Sequence, residues 1–263
     1  MKITMLGSGG SGGVPLAGNA PGGLFGEGVD PDEPKNWRRR VSILVETQDK
    51  TLLVDCSPDL RLQLLDNRVT RIDAVLFTHA HADHCHGLDE LRALSYVQGG
   101  PIPAYMSPAT HADLIDKFDY VFTSSHPQAK LYPAIMADHA VESDFEAAGV
   151  PIRIFDQDHG NLVTSGFRIG AFAYSTDCVT LNEAAFGVLE GVEAWIVDCL
   201  RFEPHPTHAH FDRTLEWIAR VEPERAVLTH LNHTMDYATV AARCPKGVEP
   251  GYDGLVIELA DPS

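Results

Sequence analysis

The sequence predicts an α/β fold in which two sheets pack face to face with helices on the outside. Three observations carry this. Short β-rich runs alternate with helical stretches in both halves of the chain. The 263 residues are 44% hydrophobic, enough for a large core. Polar residues able to bind metal follow one apolar run after another, as they do when strands of one sheet end at a common edge.

The elements follow in chain order. Residues 2 to 7 read as a short buried strand. Residues 8 to 40 are rich in Gly and Pro and lack apolar periodicity, so they are expected to form a long surface loop, a length that is usually functional or mobile. Val41 to Glu46 and Thr51 to Asp55 are β-rich runs around Thr47-Gln48-Asp49-Lys50, a hairpin signal. Ser57-Pro58-Asp59 then opens a helix, with Ser57 as cap and Pro58 at the first helical position, and leucines at 60, 62, 64 and 65. Ala74 to Phe77 is the next strand, and Gly87 to Val97 a helix with Leu88, Leu91 and Leu94 on one face. In the second half Ile152 to Phe155, Phe167 to Tyr174, Ala194 to Val197 and Ala226 to Leu228 read as strands leading to His159, Asp177, Asp198 and His230. Leu215, Ile218 and Val221 mark a helix with Asp212 as its cap, and Leu255 to Leu259 closes the sheet. No internal repeat is visible. A single domain spanning 1–263 is expected.

The stretch Thr78-His79-Ala80-His81-Ala82-Asp83-His84 is the densest in chemistry. Three histidines and an aspartate follow a strand within six residues. His79 and His81, two apart in an extended segment, point the same way and can share one metal. Asp83 and His84 follow a turn and are free for a second. Imidazole with carboxylate suits zinc, manganese or iron.

The net charge of −17 opposes a long nucleic acid as partner. The one basic run, Lys35 to Arg40 with Arg38, Arg39 and Arg40 consecutive, is expected to be a solvated face that could hold a small phosphate beside a metal cluster. Cys56, Cys85, Cys178, Cys199 and Cys244 are odd in number and form no C-x-x-C, so a disulfide framework is not expected and a reducing compartment is. The first residues lack the long apolar stretch of a signal peptide, and no apolar run approaches the ~20 residues of a membrane helix. A cytoplasmic, soluble protein is expected, without a membrane partner.

The H-x-H-x-D-H motif resembles the signature of the metallo-β-lactamase superfamily. The lone His159, Asp177 in Ser-Thr-Asp and His230 in Leu-Thr-His extend the resemblance over nearly the whole chain, beginning at Leu6-Gly7-Ser8-Gly9. Within the superfamily the chain is most similar to the PhnP-like phosphodiesterases, close to the tRNase Z branch. Arg38 to Val45 and His86 to Arg92 support this.

The resemblance implies an αβ/βα four-layer sandwich of two mixed sheets. It implies two divalent transition-metal ions, zinc or manganese with iron also possible. His79, His81 and His159 would hold one and Asp83, His84 and His230 the other, with Asp177 bridging. A bridging hydroxide would attack phosphorus. His208 would contact the phosphate or protonate the leaving group, with His210 as runner-up, and Asp83 joins His208 as a catalytic candidate. Related chains carry a cysteine-rich structural zinc site. This chain has no cysteine before Cys56, so no such zinc is expected, and His233 is left to a supporting hydrogen bond or the cleft wall.

The implied function is hydrolysis of a small phosphodiester, cyclic or nucleotide-like. The expected partners are that substrate and, at most, a second copy of the chain. The alternatives are a thioester or lactone hydrolase, a tRNase Z-like ribonuclease, and last a non-catalytic metal-binding protein.

Overall fold

A computed structural model of the protein describes residues 1–18, 24–123 and 133–262. The first sheet holds β1 (Lys2–Gly7), β2 (Ser42–Thr47), β3 (Lys50–Val54), β4 (Ala74–Leu76), β5 (Ile102–Met106) and β6 (Met136–Ala140). The second holds β7 (Phe145–Ala147), β8 (Val150–Asp158), β9 (Val163–Ile169), β10 (Phe172–Ser175), β11 (Ala194–Asp198), β12 (Arg225–Thr229) and β13 (Val248–Pro250). β14 (Val256–Glu258) returns to the first sheet beside β1. Both sheets are mixed: β3 to β6 run parallel, as do β10 to β13, and the remaining pairs are antiparallel.

The helices are α1 (Leu60–Asp66), α2 (Ala82–Cys85), α3 (Arg92–Gln98), α4 (Pro108–Phe118), α5 (Glu183–Leu189), α6 (Phe211–Val221) and α7 (Tyr237–Arg243). Alternation along the strands builds the layers. In β3, Leu52 and Val54 join the apolar layer between the sheets, while Leu53 joins the layer beneath α1 and α4. In β11, Ile196 faces the other sheet, while Trp195 and Val197 pack with Leu189, Trp217 and Val240 of the outer helices. Strands buried on both faces need near-continuous apolar runs, which Ala74–Leu76 and Ala194–Val197 supply.

Several expectations need correction. The first hairpin turn is tighter than expected: Thr47 pairs with Lys50 and only Gln48 and Asp49 turn, Gln48 at φ 49°. α1 begins at Leu60. Ser57 does not cap it, because its hydroxyl accepts from the amide of Asp59, inside the preceding turn. The Gly87–Val97 helix is a 3-10 turn over Leu88–Leu91 followed by α3. Phe167–Tyr174 is two antiparallel strands, folded back at Gly170, whose φ of 56° a side chain would resist. Asp212 lies within the first turn of α6, where His210 holds the cap position without a side-chain bond.

The 8–40 loop is also more than a surface excursion. Gly9 bridges to Arg40 and Val14 to Arg38, and Pro34–Asn36 forms a 3-10 turn. Its residues 19–23 lie outside the described residues. The basic run is not a solvated face. Arg38 is buried, donating to Asn36 Oδ1 and to the carbonyl of Met235. Arg40 donates to Asp59 from Nε (2.8 Å) and Nη2 (2.5 Å), and Arg39 pairs with Asp66. Among the described residues, no helix is long and apolar enough to cross a membrane.

Candidate metal centre

The carboxyl ends of β4, β8, β10, β11 and β12 meet at one edge, where the chain leaves the sheets for loops. Asp177 lies two residues beyond β10 and His230 directly after β12, with φ of 52° and 60°. Such left-handed turns are uncommon outside glycine, although Asp and His tolerate them better than most. Both side chains join the ligand groups at this edge.

All seven predicted ligands converge there. His79, His81, His159 and Asp177 form one group and Asp83, His84, Asp177 and His230 a second. Asp177 belongs to both through opposite oxygens. Its Oδ2 lies 3.8 Å from His79 Nε2 and 3.7 Å from His159 Nε2, and its Oδ1 lies 3.1 Å from His84 Nε2 and 3.3 Å from His230 Nε2. Asp83 Oδ2 closes the second group, 3.3 Å from His84 Nε2 and 3.4 Å from His230 Nε2.

Three of the histidines, His79, His84 and His159, are held from behind through Nδ1, so that Nε2 faces inward. His84 Nδ1 donates to Asp55 Oδ2 at 2.7 Å. Thr78 gives its hydroxyl proton to the same oxygen (2.8 Å), which leaves it to accept from His79 Nδ1 at 3.0 Å. His159 Nδ1 donates to the carbonyl of Thr207 at 2.7 Å. Thr176 donates to Asp177 Oδ1 at 2.8 Å. Bonds of this kind fix ring orientation and tautomer at metal sites.

Two observations show that the donor set fits cations. Nε2 of His79 and of His84, one in each group, are buried without a hydrogen-bond partner. Stranding buried polar nitrogens is costly unless something else binds them. The electrostatics agree. Burial opposes a proton on His84, yet Asp177, Asp83 and Asp55 hold it protonated well above the usual histidine range. Burial would raise Asp177, but His230 and His84 hold its carboxyl well below. A site that gathers protons around carboxylates is one where cations can replace them, releasing the protons.

His208 rather than His210 reaches the site. Its Nε2 is 3.8 Å from Asp177 Oδ2 and its ring stacks on His230 at 4.6 Å. Its Nδ1 lies 3.3 Å from Asp198 Oδ2. Burial lowers its pKa, but Asp198 and then Asp177 lift it to about 9. His210 sits at the start of α6 and is absent from the wall of the 260 Å³ site cavity, which Ser11, His81, Asn161, Thr207 and His208 help to line. His233 is not on that wall either, so the second of its two expected roles is not met. Its carbonyl accepts from Gly26 at 2.7 Å.

Sequence reading missed two carboxylates. Asp55 supports His84, and Asp198 supports His208 while accepting from the amide of Ala209 at 3.0 Å. Asp55 follows β3 and Asp198 ends β11. Asp198 was visible as a strand-end acid, but local spacing assigned it no partner. No cysteine belongs to these groups. Cys85 donates to the carbonyl of Ala80, and burial raises the Cys178 thiol well above its usual range, keeping it protonated.

Comparison with known proteins agrees with this geometry. The family model of the beta-lactamase superfamily domain matches residues 50–231. A solved diphosphatase of the PhnP family superposes with a TM-score of 0.86 at 30% identity, covering 98% of each chain. Zinc-bound PqqB from Methylobacterium extorquens, at 23% identity, has a TM-score of 0.75 and covers 98% of this chain and 100% of its own, a likeness of fold. Among curated proteins, an octanoyltransferase of Porphyromonas gingivalis is 29% identical over 97% of this chain and 51% of its own length. A ribonuclease Z of Salinibacter ruber is 26% identical over 60% of this chain and 50% of its own. The chain thus spans about half the length of these curated relatives. The motif, the two mixed sheets and these matches make the chain a hydrolase-fold member of the metallo-β-lactamase superfamily, in its PhnP-like branch.

Proposed function

We propose that this chain is a metal-dependent phosphodiesterase acting on small substrates, with His79, His81 and His159 holding one divalent ion, Asp83, His84 and His230 the other, and Asp177 bridging. The observation that carries this is the Asp177 carboxylate, whose two oxygens face two separate histidine groups. The donor set suits zinc or manganese, and iron fits it too. When bound, the ions supply Lewis acidity and acidify water toward hydroxide.

The chain's own residues do the rest. Asp55 and the Thr207 carbonyl hold His84 and His159 in the orientation the ligands need. His208 stands beside Asp177 with its far nitrogen on Asp198, placed to carry a proton. As the phosphorus–oxygen bond to the leaving alkoxide breaks, the His208 imidazolium gives that oxygen its proton and Asp198 stabilises the charge before it leaves. Asp83 lines the same cavity, its Oδ2 3.4 Å from His230 Nε2, so both can reach one ion.

Phosphate is favoured over acyl carbon because a protonated histidine beside the cluster suits a dianionic transition state. The similarity to a PhnP-family diphosphatase supports the same class. A long RNA is disfavoured by the charge of −17. One observation favours a second reading, an acyl thioester hydrolase: the match to a protein named octanoyltransferase runs over 97% of this chain.

The test is a screen of metal-reconstituted protein against bis(p-nitrophenyl) phosphate, cyclic nucleotides, cyclic sugar phosphates and an octanoyl thioester. Turnover of phosphodiesters is expected. Turnover of the thioester alone would replace the proposal with the second reading.

A further inference from the structure

A second cavity, of about 530 Å³, lies beside the candidate metal centre and takes no part in the chemistry above. Its wall includes Gly12, Val14, Pro15, Trp37, Arg39 and Asp66. The two cavities are lined by consecutive residues of the chain. Ser11 lines the metal cavity and the next residue, Gly12, lines this one. Arg40, also on its wall, is held mainly by Asp59, yet lies near enough to Asp83 for that charge to raise its pKa further.

Trp37 sets the character of the space. Trp37 is 53% exposed, but its indole is not free to swing. Nε1 donates to the carbonyl of Pro31 at 2.9 Å, and the ring meets Phe25 edge-on at 5.3 Å. A large aromatic surface left to water, yet fixed in orientation, is a ready stacking platform. Arg39 adds a planar cation. Its partner Asp66 is 59% exposed, so the pair is weak and can exchange for other contacts.

The charge balance narrows the ligand. Arg38, Arg39 and Arg40 share the wall with Asp59, Asp66 and Asp253, so the cavity has no positive excess to hold a second phosphate. A volume of this size with mixed polar and apolar walls suits a neutral aromatic group bearing hydroxyls.

We propose that this cavity is a nucleoside subsite, taking the base and sugar of a nucleotide-type phosphoester whose phosphate lies at the Asp177 cluster. The base stacks on Trp37 beside Arg39, and Asp66 accepts from the sugar hydroxyls. The reaction rests on the phosphodiesterase proposal, but binding of the nucleoside does not.

The experiment has a binding arm and a kinetic arm. Trp195 and Trp217 are buried, so tryptophan fluorescence that responds to an added nucleoside reports Trp37. Adenosine should quench wild-type fluorescence saturably, orthophosphate should not, and Arg39→Gln should weaken adenosine binding. In the kinetic arm, Trp37→Leu and Arg39→Gln should each raise KM for thymidine 5′-(p-nitrophenyl phosphate) about tenfold or more, the scale of one lost stacking contact. Turnover of bis(p-nitrophenyl) phosphate should stay within about twofold of wild type in both variants, which also shows that they fold.

Saturable quenching weakened by Arg39→Gln, with neither ester cleaved, would keep the subsite and remove the phosphodiesterase proposal. Cleavage of both esters with no saturable quenching, or with equal effects of the variants on both, would overturn the subsite and leave the phosphodiesterase standing.

Discussion

Asp198 Oδ2 lies 3.3 Å from Nδ1 of His208, whose other nitrogen faces the Asp177 carboxylate that joins the two ligand groups. The pair lies outside the two groups formed by the seven candidate ligands, although with Asp177 and His230 it makes a third set of possible donors. Its removal should leave both groups of the seven candidate ligands intact.

His208→Ala should keep its fold and its metal but lose roughly 10²- to 10⁴-fold in turnover of an alkyl phosphodiester, the usual range for a lost general acid. The loss should shrink for a p-nitrophenyl ester, whose leaving group needs little protonation. His210→Ala, at the start of α6, should change little with either substrate. Equal losses from His208→Ala on both substrates would remove its role as proton donor.

The pH profile follows from the same pair. His208 acts as an acid only while protonated, so activity on alkyl esters falls as pH rises through its pKa. Burial pulls that pKa down, and Asp198 and Asp177 lift it to about 9. Two bound cations repel the proton, so the falling limb should lie below pH 9. Asp198→Asn removes the supporting charge and should move the limb to lower pH. A limb that stays in place in that variant would mean that some other group titrates there.

Asp55 touches no substrate, yet it accepts from His84 Nδ1, from the amide of Thr78 and from its hydroxyl. Asp55→Ala should weaken metal binding by roughly 10- to 100-fold, the effect typical of lost support behind a ligating histidine. Competition with a chelator measures this directly. Unchanged affinity would show that packing alone orients His84.

Gly87 tests how the motif is mounted. A Cβ there would lie 1.9 Å from the carbonyl oxygen of Ser57, and the Gly87 amide donates to Cys56 at 2.8 Å. Backbone meets backbone, so no side chain can give way. Gly87→Ala should destabilise the fold by about 3 kcal/mol or more, at the severe end for a single substitution. A melting temperature close to wild type would show that the segment after β3 moves freely.

Four of the seven candidate ligands were legible in a single motif; His159, Asp177 and His230 also lie beyond apolar strands, but only the resemblance to the metallo-β-lactamase superfamily implied their roles. Asp55 and Asp198 also stand at strand ends, but their partners are 29 and 10 residues away, and only the packed sheets reveal them. Arg38 was misjudged for a similar reason. Three consecutive arginines look solvated until tertiary partners appear, here the carbonyl of Met235 and the carboxylates of Asp59 and Asp66. The helix start at Ser57 failed because its hydroxyl bonds within a local turn instead of capping α1.

The metal content of Asp177→Ala tests the central claim most directly. Wild-type protein reconstituted with zinc or manganese and freed of excess metal should hold two ions per chain by elemental analysis. Asp177→Ala should hold none or nearly none, because both ligand groups lose the carboxylate they share. A variant that keeps the wild-type load, with its fold intact, would contradict the bridging role of Asp177 and the two-metal centre built on it.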